Sequence, residues 1–245
     1  MDLKLTGKKA LVLGASQGIG KAVAASLINE GAEVTIVSRS QDKLVTTANE
    51  ISAAGYMLCD LTEKGSAKSL VQEFIKKQGG IDILIVNTGG PAKNDFLDVN
   101  IEQWENDFQS LWLSSVEALQ EAIPSMQKGQ YGRIIFVTSI AAKEPLPGLT
   151  TSNGLRAGLA GLSRSISNEF AKDGITFNCL LPGYTNTERI QNLNLSEDKI
   201  KEMVPAGRLG DPSELADLAT FLASERGGYI TGQSIAIDGG VLKGL

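Results

Sequence analysis

An apolar run, Leu11-Val12-Leu13, breaks at Gly14 into Ala15-Ser16-Gln17-Gly18-Ile19-Gly20 and resumes as a helical pattern through Ala22, Val23, Leu27 and Ile28. This spacing predicts a strand, a glycine loop and the first turn of a helix. Such a loop holds a diphosphate on backbone N–H groups at the positive end of a helix dipole. Gly14 permits the sharp turn out of the strand, Gly18 lets an anion approach the backbone, and Gly20 lets the helix sit close to the sheet. Ser16, Gln17 and Ile19 share the loop and count with its glycines as candidate contacts of a dinucleotide. The spacing is G-x-x-x-G-x-G rather than the commoner G-x-G-x-x-G. Its context separates it from a mere tight turn: Gly31 stops the helix, and a second apolar strand, Val34 to Ser38, follows.

The second strand ends at Ser38-Arg39-Ser40, where the adenosine ribose of a dinucleotide is read. An acidic residue there accepts the 2′-hydroxyl of NAD, whereas Arg39 offers a fork of donors suited to a 2′-phosphate and so favours NADP. The alternative is that Arg39 is a solvated surface charge. Asp60 and Leu61 close the third strand; Asp60 is placed to accept from the adenine amine, to cap the next helix, or both. Asn87-Thr88-Gly89-Gly90-Pro91 follows the fourth strand, and Asn87 and Gly89 are expected over the adenosine side of the cofactor unless the segment is a plain turn. The chain has no histidine, which removes histidine triads and nearly all catalytic zinc sites, so no metal is expected. Proton chemistry falls to Tyr, Lys, Ser, carboxylates or the cofactor.

The elements that must position these residues are seven strand-like runs, 10–13, 34–38, 56–59, 81–86, 132–138, 175–180 and 233–237, with helical patterns between them. That alternation predicts one α/β domain over 1–245: a doubly wound, seven-stranded parallel sheet with helices on both faces, the Rossmann fold. With 21% charged residues and a net charge of −5, no basic face invites nucleic acid or anionic lipid. No apolar run approaches membrane-spanning length and Met1-Asp2-Leu3-Lys4 is no signal peptide, so a cytoplasmic protein is expected. Cys59 and Cys179 are expected as two reduced thiols.

These motifs together resemble the short-chain dehydrogenase/reductase family, most closely the 3-oxoacyl-[acyl-carrier-protein] reductases, nearly end to end. The resemblance rests on Gly14 to Gly20, Asn87-Thr88-Gly89-Gly90, Gly132-Arg133-Ile134-Ile135 leading to Ser139, Asn178, Pro182-Gly183, and the closing Ile235-Ala236-Ile237-Asp238-Gly239-Gly240. It implies catalysis by a Tyr-x-x-x-Lys motif with a serine and an asparagine. Counting 13 residues from Ser139 puts the tyrosine at Ser152, and counting back from Asn178 and Pro182 puts the lysine at Arg156. The interval from Trp104 to Pro124 puts the asparagine at Leu111. Of the four, only Ser139 is retained, and Ser-x-x-x-Arg stands in place of Tyr-x-x-x-Lys.

A serine hydroxyl is a far poorer acid than a phenol of pKa about 10, and a guanidinium donates hydrogen bonds and charge but does not shuttle a proton at ordinary pH. Arg156 therefore keeps a cofactor-binding role at the ribose while the usual relay is missing. Three substitutes present themselves. Tyr184 either offers a phenol from the opposite wall or packs on the nicotinamide, and Lys143 either donates a proton or is a surface lysine. Alternatively, Arg156 and Ser139 hold an anionic substrate and polarise its oxygen, with water as the acid.

The resemblance also makes Pro182, Gly183 and Thr187 contacts of the nicotinamide and diphosphate. Residues 188–207 are expected to form a mobile substrate lid, and Asp211-Pro212-Ser213-Glu214 to start a helix with a capping box. Helices at 100–126 and 149–173 carry more small and apolar residues (Leu111, Trp112, Leu113, Ala157, Gly158, Leu159, Gly161, Leu162) than one sheet face needs, and the resemblance implies that they make a homodimer interface, with the C-terminal strand region completing a homotetramer. Two readings follow. One is an NADP-dependent oxidoreductase acting on a small carbonyl or alcohol substrate with a non-standard proton donor. The other is an NADP-binding protein that has lost hydride transfer and serves as a sensor or assembly partner.

Overall fold

A computed structural model describes residues 1–244. Seven strands alternate with helices: β1 Lys9–Val12, α1 Gly18–Asn29, β2 Glu33–Ser38, α2 Gln41–Glu50, β3 Gly55–Leu58, α3 Ser66–Gln78 and β4 Ile83–Val86 form the first half. The second half runs α4 Ile101–Asp107, α5 Ser114–Gly129, β5 Gly132–Val137, α6 Thr150–Phe170, β6 Ile175–Pro182, α7 Glu188–Gln191, α8 Glu197–Met203, α9 Pro212–Ala223 and β7 Ser234–Ile237. All strand pairs are parallel, in the order β3-β2-β1-β4-β5-β6-β7. This is the doubly wound Rossmann architecture expected from the sequence. Every strand lies within two residues of its expected range. β4 starts late because Asp82 turns its carboxylate to the Lys9 N–H, 2.8 Å away, at the foot of β1.

The near-continuous apolar character of the central strands follows from burial on both faces. Leu84 and Val86 pack with Phe136 and Phe177 beneath α3, α5 and α6, whereas Ile83 and Ile85 join Val12, Ile36 and Ile135 beneath α1, α2 and α9. The edge strand β3 lacks that second cover, so Tyr56 and Leu58 are exposed. Helix α9 begins with the expected box: Asp211 Oδ1 accepts from the Ser213 N–H at 2.8 Å and a Glu214 carboxylate oxygen accepts from the Asp211 N–H at 2.7 Å. Both cysteines are free thiols. Among the described residues no helix is long and apolar enough to cross a membrane.

Two expectations change. The helix expected over 100–126 is interrupted by a π-helical segment, Phe108–Leu113, between α4 and α5; such widened turns occur mostly at functional sites. The small residues of α6 are partly spent inside the chain, since a Cβ on Gly158 would stand 2.5 Å from the Trp112 ring. Leu111 and Leu159 are likewise core residues, each 2% exposed.

Candidate active site

The carboxyl ends of the strands open onto one cleft of about 1370 Å³, larger than the few hundred to about 1,000 Å³ that suits a single drug-sized ligand. One end is built by the glycine loop. Gly14 takes φ +61°, and a Cβ there would fall 2.2 Å from the Asn87 carbonyl oxygen, so only glycine allows the two strand ends to meet. Asn87 reinforces the junction by donating from Nδ2 to the Gly14 carbonyl at 2.9 Å. Gly20 brings the start of α1 close to the strand ends, because its Cβ would lie 2.3 Å from the Gly14 carbonyl and 2.7 Å from Asn87 Nδ2. The Thr47 hydroxyl pins the loop from α2 by donating to the Ser16 carbonyl at 2.8 Å.

The residue preceding α1, Gln17, is extended and no side chain caps the helix. The first-turn N–H groups beside Gly14, Ser16, Gln17, Gly18 and Ile19, which line the cleft, are therefore free for an anion. Arg39 is exposed and lines the cleft with Asp60 and Leu61. The Asp60 carboxyl is held below its usual range chiefly by the Thr62 backbone N–H, with help from the Thr62 hydroxyl and the Arg39 charge. That arrangement corrects one expectation: the Asp60 carboxylate accepts within its own turn, at 3.0 and 2.8 Å from Thr62, while Gly65 precedes α3 and no side chain caps the helix. Seven residues, 59–65, separate β3 from α3, and what Asp60 gives the helix is its main-chain carbonyl, which accepts from Ser66 Oγ at 2.6 Å, rather than its carboxylate. Lys43, not foreseen from the sequence, lines this end too. It donates to Gln17 Oε1 at 2.7 Å and stands 3.7 Å from a Glu188 carboxylate oxygen. A dinucleotide with a 2′-phosphate fits this donor set: uncapped helix N–H groups for the diphosphate, and Arg39 with Lys43 for the extra phosphate.

The other end holds the catalytic candidates. Ser139, Ser152, Arg156 and Tyr184 all line it, as does Leu111 within the π-helical segment. Ser139 Oγ accepts from the Ala141 N–H at 3.1 Å, which fixes the start of a 3-10 turn over Ile140–Ala142. That turn buries Ile140 and Ala141 and leaves Lys143 exposed, outside the cleft lining. Lys143 is thereby removed as a substitute donor. Ser152 and Arg156 sit one turn apart on α6 and are 5% and 6% exposed. Arg156 donates from Nε to Ser152 Oγ at 3.1 Å, from Nη1 to the Val137 carbonyl at 3.1 Å, and from Nη2 to the Gly89 carbonyl. Burial, and secondarily the nearby Arg189 charge, bring the Arg156 pKa down to about 10. The guanidinium remains charged at neutral pH.

Gly89 gives its backbone carbonyl to Arg156, which thereby holds the turn after β4 against α6. Pro182 and Gly183 end β6 inside the cleft. A Cβ on Gly183 would stand 2.7 Å from Asp238 Cα, so the closing Asp238-Gly239-Gly240 segment packs behind it. Thr187 faces the glycine loop: a Cβ on Gly18 would be 3.3 Å from its methyl group. Residues 188–207 contain the short helices α7 and α8, neither of which contributes a buried residue. Sequence reasoning also missed Arg189 of α7, which donates from Nη2 to the Pro91 carbonyl at 2.9 Å. Asp107 is a further omission: it is 5% exposed, lines the cleft, and accepts from Gln103 Nε2 at 2.7 Å. The signal available for both was a charge next to an expected site residue or inside an apolar helical stripe.

A family model described as enoyl-(acyl carrier protein) reductase matches residues 14–242. The NADPH-dependent reductase BacG of Bacillus subtilis is 33% identical over 98% of this chain and 100% of that protein. The 3-oxoacyl-[acyl-carrier-protein] reductase FabG of Escherichia coli is 35% identical over 98% of this chain and 99% of its own length. Among solved structures, L-sorbose reductase from Gluconobacter frateurii, complexed with NADPH and L-sorbose, superposes with a TM-score of 0.95 at 29% identity, covering 100% of both chains. Sheet order, uncapped glycine loop and end-to-end similarity agree, and the chain belongs to the short-chain dehydrogenase/reductase family.

Proposed function

We propose that this protein is an NADP-dependent oxidoreductase that interconverts a small carbonyl compound and its alcohol, with a proton path that does not use the family's tyrosine and lysine. When bound, the nicotinamide supplies or accepts the hydride. Gly14, Ser16, Gln17, Gly18, Ile19 and Gly20 hold the diphosphate on α1, and Arg39 reads the 2′-phosphate. Asp60 and Leu61 bound the adenine, while Asn87 and Gly89 fix the adjoining turn. Pro182, Gly183 and Thr187 position the nicotinamide end, and residues 188–207 close over the substrate.

At the reacting carbon, Ser139 and Arg156 orient and polarise the oxygen. Ser152 accepts from Arg156 and so aims the guanidinium rather than giving up its own proton. Of the four tyrosines, only Tyr184 lines the cleft, and it delivers the proton to the substrate oxygen. Two exposed apolar groups, Phe108 and Ile101 of the α4 region, support self-association through that face.

The observation that carries this reading is the continuity of one cleft from an uncapped helix N-terminus and Arg39 to Ser139, Arg156 and Tyr184. Its test is single-turnover oxidation of bound NADPH against ketones, β-ketoacyl thioesters, aldehydes and imines. Turnover with at least one class, slowed in Tyr184→Phe, is expected. NADPH binding without turnover across the panel would favour the sensor reading, and failure to bind NADPH at millimolar concentration would end both.

A further inference from the structure

Three carboxylates line the cleft, and each has a partner elsewhere, although Asp107 keeps its buried Oδ2 unpaired. Asp60 accepts from Thr62, Asp107 from Gln103, and Glu188 faces Lys43. Arg156 and Arg189 line the same cleft, and no carboxylate of the described residues pairs with either. A buried guanidinium ordinarily sits with a carboxylate, because taking its charge out of water is expensive. Here the partners of Arg156 are one hydroxyl and two neutral carbonyls, which occupy three of its five N–H groups. Two N–H groups remain for something else.

The second guanidinium is brought in by the same turn. Gly89 gives its carbonyl to Arg156 and Pro91 gives its carbonyl to Arg189, so two cations from separate elements are hung on carbonyls two residues apart in one turn. Gly90 between them leaves the room: a Cβ there would stand 2.4 Å from Arg189 Nη1. Like charges placed side by side repel, and the Arg189 charge does oppose protonation of Arg156. An anion between them would reverse the sign of that interaction. The cofactor's own anions have other partners in this cleft, at the α1 N-terminus and beside Arg39, just after β2, and Lys43 on α2.

We propose that Arg156 and Arg189 form a subsite for a substrate carboxylate, so that the enzyme acts on carbonyl compounds bearing a carboxylate, with 2-oxo acids as the representative class. The proposal rests on the oxidoreductase reading above. It also bears on the missing relay, since two positive charges gathered around the substrate would stabilise an alkoxide as it develops.

The test uses protein saturated with NADP⁺, which has no hydride to give, titrated calorimetrically with 2-oxobutanoate and with its neutral amide. The carboxylate is expected to bind at least about tenfold more tightly than the amide, the scale of one charge-assisted hydrogen bond. Arg189→Met, at an exposed position, should abolish that preference while leaving NADP⁺ affinity within about twofold. Arg156→Lys, checked for folding by its thermal melt, should weaken the carboxylate more than the amide when both are compared at matched NADP⁺ saturation. Equal binding of carboxylate and amide by the unaltered protein overturns the proposal. So does a loss of NADP⁺ affinity in Arg189→Met matching the loss of carboxylate, because the guanidinium would then serve the cofactor. Failure of NADP⁺ to bind at all is read separately in the same calorimeter and counts against the oxidoreductase reading instead.

Discussion

Replacing Arg156 by methionine measures how far this one side chain holds the site together. Methionine fills much of the same volume and removes a buried charge. The pKa of about 10, against an ordinary 12.5, means that the protonated guanidinium is disfavoured in the folded chain. At 1.36 kcal/mol per unit, removing it returns about 3 kcal/mol. Against this stand three hydrogen bonds from a charged donor, to Ser152, Val137 and Gly89, each worth about 1.5–3 kcal/mol, with buried acceptors left behind. The bonds outweigh the relief, and the variant should be less stable by about 2–5 kcal/mol. For a chain of this length that corresponds to a fall in Tm of roughly 5–15 °C. Urea unfolding followed by the fluorescence of Trp104 and Trp112, with the midpoint compared at an unchanged slope, reads the difference. Because Gly89 loses its tether, NADPH should also bind several-fold more weakly. A variant as stable as the parent, with unchanged NADPH affinity, would refute the reasoning: Arg156 would then not be what holds the turn after β4.

The remaining predictions are smaller. In the double variant Ser152→Tyr with Arg156→Lys, the family's phenol and ammonium return together, and single-turnover reduction of a neutral ketone should rise by about 10²–10⁴-fold; no rise would mean that the relay is not what the cleft lacks. Arg39→Ala should narrow the preference for NADPH over NADH by about tenfold or more at unchanged Tm, measured by paired titrations. Glu214 is held near a pKa of about 2, first by its hydrogen bonds from Arg208 and then by the Asp211 N–H. A carboxyl depressed in this way stabilises the fold above its ordinary value near 4.5 and loses that contribution as pH falls toward 2. The Tm difference between the parent and Glu214→Gln should therefore shrink across that window, and should be smaller in high salt because the pair is exposed.

The first half of the site was legible because it is local. Gly14 to Gly20 are consecutive, their helix starts within the loop, and glycine at a left-handed φ or a close backbone contact leaves few alternatives. What was not legible depends on approach from elsewhere. Lys43 reaches Gln17 from α2 and Arg189 reaches Pro91 from α7, and neither contact has a periodicity. The π-helical segment was hidden because one extra residue per turn barely disturbs an apolar stripe running from Trp104 through Leu111 to Leu119. Asp60 was misassigned in part for the opposite reason. Its own turn offered the carboxylate nearer donors than the helix that begins six residues on, at Ser66.

Ser152 and Arg156 act as one change rather than two. A guanidinium is broader than an ammonium, and its fork needs acceptors on several sides. On α6 the acceptor for Nε is supplied one turn earlier by the small Ser152 hydroxyl, in the place where a phenol ring would stand. With a tyrosine at 152 that space is filled. With a lysine at 156 the Val137 and Gly89 carbonyls face a single point charge that cannot take both in a planar fork. On the proposed reading the pair exchanges a proton relay for a rigid cation held between β5, the turn after β4 and α6. A site rebuilt in that way gains in holding an anion what it gives up in moving a proton.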